Sequence, residues 1–271
     1  MNQTEPRAAS IERRETVLGI VGDVLTASGI PWAWQGMSGA PRLWTGQTGP
    51  ADLDLWCGVS GPDADRVVAA LAAALPAAPV ALATDPRRLR HCSLAVETPA
   101  GLAVVDLTFA DLRVGPVLLV PRDRIEVQPT PTGPRLRGIA AAADLLVRPL
   151  LRGRVPEDAR VQAARDSWQD ATPGERAWVA ELWLGQLGPT ADGVVAALDG
   201  ATPDPALPAL MRRRLLLLTL SPANLGPALR QWRSIVPAGK SAGPLGLRTR
   251  GAVVALVGTD GAGKSTVAAE L

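Results

Sequence analysis

The chain has 271 residues, 47% of them hydrophobic and 20% charged, with a formal net charge of +2. That length permits one large or two modest domains with real cores, and the composition excludes a disordered tail or a strongly basic polyanion binder. The start, Met1 to Glu15, is polar and carries no apolar secretion stretch, and no run of about 20 apolar residues is present to span a bilayer. The expectation is a protein of the reducing cytoplasm with no membrane partner, in which Cys57 and Cys92 are buried thiols without metal spacing. Arg stands nearly everywhere a surface cation is needed. Lys240 and Lys264 are therefore conspicuous.

Apolar spacing predicts a helix over Ser10 to Ser28, ended by Gly29, and a short strand over Pro31 to Gly36. Asp52 to Cys57 alternates as a strand does. Ser60 as cap and Pro62 in the first turn predict a helix through Leu75. Val80 to Ala83, Cys92 to Glu97 and Leu102 to Phe109 read as strands, the last two joined by a turn at Thr98 to Gly101. Leu118 to Pro121 and Ile125 to Val127 would add edge strands. Residues 1–128 thus form a mixed α/β unit, closed by a Pro/Thr-rich break at Pro129 to Pro134.

An all-helical region is expected over 135–236, with helices at 139–151, 157–169, 174–187, 190–199, 205–219 and 222–234. The densest apolar stretch, Leu215 to Leu220, reads as one face of a buried helix. A Gly/Pro-rich linker occupies 237–250. Ala252 to Val257 then suits a buried parallel strand, opening a third segment over 251–271.

Gly258, Thr259, Asp260, Gly261, Ala262, Gly263, Lys264 and Ser265 match G-x-x-x-x-G-K-[ST] at every fixed place. Glycines let successive N–H groups point inward and make an anion cradle at the start of the next helix. Lys264 would reach the β- and γ-phosphates of ATP, and the Ser265 hydroxyl would hold Mg²⁺. Chance gives on the order of 0.002 such matches in a chain of this composition. With Thr266 included, the G-x-D-G-x-G-K-S-T form resembles the phosphate loop of thymidylate kinases. The resemblance covers about 20 residues and implies an ATP-binding P-loop kinase fold. Asp260 then sits where such kinases carry an acid. Leu271 falls inside the first helix after the loop, so the parts that position an acceptor are not within this chain, and it is not expected to be a competent kinase alone.

Asp52-Leu-Asp54-Leu55 places two acids on one face of a strand. A third, Asp106, interrupts the apolar strand around Val104, Val105 and Leu107, where an acid is costly unless it lies at a wet edge or binds a cation. Three converging carboxylates would hold Mg²⁺ and align a nucleoside triphosphate. D-L-D-L also suits the solvated face of an amphipathic strand equally well. The arrangement resembles the nucleotidyltransferase superfamily, with Trp34-Gln-Gly36, Asp52-Leu-Asp54 and Asp106 as counterparts of its strand-end glycine, D-x-D and third Asp. Gly36 is followed by Met37 rather than by Ser or Gly, a departure that Ser38-Gly39 or the Gly46 to Pro50 loop would have to cover. Bacterial proteins that join such a domain to a thymidylate-kinase-like domain have this order of parts.

The resemblance implies a nucleotidyltransferase-like domain, a helical middle and the first strand, P-loop and helix of a kinase fold. The alternatives are a front domain that alone transfers a nucleoside monophosphate to a small-molecule acceptor, and a non-catalytic nucleotide-sensing or partner-binding module. His91, the single histidine, has no carboxylate, Cys or Ser at a relay spacing and reads as surface or packing. Arg87, Arg88 and Arg90 would suit a triphosphate. Arg212 to Arg214 reads as a solvated helix side. Eight tryptophans read as core filling, with no Arg/aromatic interleaving for nucleic acid.

Overall fold

A computed structural model describes residues 17–36, 51–75, 77–85, 88–98 and 101–235. Helix α1 (17–27) ends in a turn at Ser28 and Gly29, where φ is +65°. A seven-stranded mixed sheet follows, built from β1 (Trp32–Trp34), β2 (Ala51–Cys57), β3 (Ala77–Asp85), β4 (Arg88–Thr98), β5 (Gly101–Phe109), β8 (Glu126–Gln128) and β9 (Arg135–Arg137). Its order is β3-β4-β5-β2-β1-β9-β8. The β2/β5 and β1/β9 pairs are parallel and the remainder antiparallel. Strands β6 (Leu112–Val114) and β7 (Val117–Val120) form a separate hairpin.

Several expectations are corrected here. Helix α2 (Pro62–Ala74) starts from Gly61 at φ 62°, with no side-chain cap, so Ser60 does not cap it. The segment at Leu118 pairs with β6 and not with the main sheet, because the Gly115-Pro116 turn folds the chain back on itself. The Pro/Thr-rich stretch 129–134 is a connection inside the sheet. Its far end, β9, runs parallel to β1, and the Trp34 N–H donates to the Pro134 carbonyl at 2.9 Å.

The sheet separates two cores. Alternation sends Leu53, Leu55, Cys92, Leu94, Val105 and Leu107, each 0% exposed, against α1 and α2. The other face meets helices: α3 (Gly138–Ala142), a π-helical turn (Ala143–Val147) and α4 (Arg148–Leu151) run on as one rod. Behind it lie α5 (Asp158–Asp170), α6 (Pro173–Leu187), α7 (Thr190–Leu198), α8 (Leu207–Thr219) and α9 (Pro222–Ile235). Trp168 and Trp183 stack at 6.0 Å in this second core, while Trp178 is partly buried and carries Arg124 5.3 Å above its ring. Cys57 and Cys92 are buried and free.

Helix α8 does not bury the face expected of it. Leu216, Leu217 and Leu220 are 53%, 57% and 64% exposed, whereas Leu207 and Met211, one turn apart, face the core. A continuous leucine run has no period of its own, so the flanking residues decide which stripe is buried. Among the described residues no helix is long and apolar enough to cross a membrane.

Candidate functional site

Parallel pairing of β2 with β5 sets Asp54 opposite Asp106. Both side chains leave the sheet on the face turned toward the helical rod, since their neighbours Leu53, Leu55, Val105 and Leu107 fill the opposite core. Asp52 pairs with Val104 in the same register, one pleat away; its side chain lies outside the described residues.

The rod supplies the matching charges. Asp144 is 1% exposed and accepts from Arg148 Nη1 at 3.0 Å, from Gln35 Nε2 at 3.4 Å and from the Gly36 N–H. Arg148, in turn, donates from Nη2 to Asp54 Oδ1 at 3.0 Å. The guanidinium therefore bridges a carboxylate of the sheet and a carboxylate of the helix. Burial alone would lower the Arg148 pKa, but Asp144 and Asp54 more than offset it and hold the group charged. Asp144 lies within the π-helical turn and Arg148 follows directly after it, so this turn carries both halves of the clamp.

Asp106 has different partners. Ser93 Oγ donates to its Oδ1, and His91 Nε2 lies 3.7 Å from the same oxygen. Antiparallel pairing of β4 with β5 brings these groups together, with Ser93 opposite Asp106 and His91 opposite Thr108. The expectation that His91 lacks a carboxylate is thus corrected. Burial pushes its imidazole below the usual value, against the pull of Asp106.

Beside the carboxylates a cavity of about 310 Å³ opens between the sheet, the β6–β7 hairpin and the α8–α9 junction. Gln35, His91, Asp144, Arg148 and Arg152 line its sheet end. Arg148 therefore touches both the carboxylates and the cavity.

Oxygen donors of this kind suit Mg²⁺. Among the described residues no three acidic, His or Cys side chains cluster as a metal shell. Asp54 and Asp106 supply two opposed carboxylates, and Asp52 pairs two residues along the same strand. The two described carboxylates fit such a cation in kind and in register. The loop from Gly258 to Thr266, with Lys264 and Ser265, lies outside the described residues, as do Ser38, Gly39, Gly46 to Pro50 and the side chains of Arg87, Arg88 and Arg90.

Sequence reading missed Asp144, Arg148, Gln35 and Ser93. A signal existed for two of them: Asp144 and Arg148 are the only charged residues between Ile139 and Leu151, an i,i+4 acid–base pair inside an apolar helix. Gln35 and Ser93 gain their meaning only from strand pairing.

No protein-family profile matches the chain, and no curated protein matches it. Among solved structures it is similar to JHP933 from Helicobacter pylori, with 9% identity and a TM-score of 0.35, over 80% of this chain and 97% of that one. It is also similar to an H. pylori protein provisionally described as a nucleotidyltransferase, with 10% identity and a TM-score of 0.32, over 80% and 99% of the two chains.

Proposed function

We propose that the α/β part of this protein binds a nucleoside triphosphate through a divalent cation and transfers its nucleoside monophosphate to a small-molecule acceptor. The observation that carries the reading is the register of Asp54 against Asp106 on adjacent parallel strands, with Arg148 joining Asp54 to the wall of the neighbouring cavity. Asp52, Asp54 and Asp106 would hold Mg²⁺, which when bound supplies charge neutralisation and alignment of the phosphates. The chain's own part is to fix the geometry: Ser93 orients Asp106, and the Asp144–Arg148 clamp orients Asp54. No nucleic-acid ligand is invoked, and a cytoplasmic setting agrees with two free, buried thiols.

The same proposal includes a second nucleotide site. The motif from Gly258 to Ser265 would cradle ATP phosphates with Lys264 and Ser265, as the opening part of a thymidylate-kinase-like domain. A nucleotide-sensing module without transfer activity is the rival, favoured by the contact of Arg148 with Asp54 Oδ1. Triphosphate titrations with and without Mg²⁺ separate the carboxylate site from the loop when Lys264→Ala is present throughout. Turnover assays then separate transferase from sensor.

A further inference from the structure

We infer that the cavity is a compartment distinct from the metal-holding carboxylates, and that it takes a small molecule bearing an oxyanion, which pairs with Arg152. The inference rests on the reading above that this face of the sheet is the substrate site, and it adds the chemistry of the second substrate. Neither Asp54 nor Asp106 lines the cavity, whereas His91, Thr108, Arg113, Arg148 and Arg152 do. Arg148 stands as the partition, with one nitrogen on Asp54 and the other on Asp144.

The cations of the wall are not equivalent. Arg148 is committed to two carboxylates, and Arg113 is paired with Asp111 at 3.1 Å. Arg152 lines the same wall, is exposed, and its guanidinium makes no hydrogen bond or ion pair among the described residues. Partial desolvation and the neighbouring Arg148 guanidinium push its pKa down, against the pull of Asp54 and Asp144, and the fork stays open toward the cavity mouth. An oxyanion is the ligand that such an unpaired fork accepts, since a guanidinium matches carboxylate and phosphate geometry. The opposite end, at Thr219 and Asn224, offers neutral polar groups beside Leu119 and Pro227, which suits an uncharged remainder. The volume accommodates a small molecule rather than a polymer segment. An acceptor with an acidic end and an apolar or hydroxylated body meets each of these conditions.

The test uses the full chain carrying Lys264→Ala, in chelator and without nucleotide. Inorganic phosphate and acetate are titrated separately by calorimetry at low ionic strength, which tells a phosphate-bearing from a carboxylate-bearing ligand. One saturable site is expected for at least one probe, weakened roughly tenfold or more by Arg152→Gln, the loss of one charge-assisted fork. Arg213→Gln, exposed on α8 and outside the cavity, should match the parent. Asp106→Asn should bind the probe at least as tightly as the parent, because it removes a negative charge 3.7 Å from His91 of the cavity wall. That variant separates the two ideas, because it removes the nucleotide reading's carboxylate while leaving Arg152 in place. Absence of a saturable site, equal affinity in Arg152→Gln, or loss of probe binding in Asp106→Asn would each overturn the inference.

Discussion

A carboxylate as deeply buried as Asp144 persists in a folded protein only when donors surround it. Three donors do so here, and the charged one, Arg148, is shared with Asp54. Removing Arg148 would strand a buried charge. Arg148→Met should therefore lower stability by about 3–5 kcal/mol in urea denaturation, while Arg148→Met with Asp144→Leu should recover much of that loss. An additive double variant would contradict the clamp. Cys57 gives a pH-dependent test of the other core. Burial pushes its thiol from 9.0 up to about 12, so between those values the folded form keeps a proton that the unfolded form has shed. Stability is then lost as pH rises through that window, by about 1.4 kcal/mol per pH unit from this thiol. Cys57→Ala should remove that share of the slope. The absence of Tyr leaves few other groups to titrate there.

Elements in this protein are fixed by contacts of very different range. Helix α6 is set locally: Thr172 accepts from the Glu175 N–H, and Glu175 Oε2 accepts back from the Thr172 N–H at 2.8 Å, a complete capping box. That signal was legible, and the six helices of the middle region lie within two residues of their expected bounds at each end. The β6–β7 hairpin is set at long range. Gln186 of α6 accepts from the Leu118 N–H and donates to the Leu118 carbonyl, both at 2.8 Å, and so covers the edge of β7. Gln186→Ala should cost about 1 kcal/mol and speed hydrogen exchange at the Leu118 amide; unchanged exchange would contradict this role. Nothing in the spacing around Leu118 announces a partner 68 residues away, or tells a strand of a separate hairpin from an edge strand of the main sheet. The same limit hid the site. Asp54 and Asp106 could be picked out singly because acids are rare in apolar strands, but their opposition is a property of β2/β5 pairing. Their contacts with Arg148, Ser93 and His91 come from elements far away in sequence or from a neighbouring strand.

At the scale of the whole molecule, one sheet divides two apolar cores, and the helical rod lays Asp144 and Arg148 against the carboxylates on one of its faces. The central claim is that the opposed carboxylates hold the cation of a nucleoside triphosphate. The most direct measurement is triphosphate affinity with and without Mg²⁺ in the Lys264→Ala chain, repeated with Asp106→Asn. The account predicts Mg²⁺-dependent binding that Asp106→Asn weakens at least tenfold, while the fold, read from the denaturation midpoint, survives. Binding of equal strength in both proteins, or binding indifferent to Mg²⁺, would contradict it.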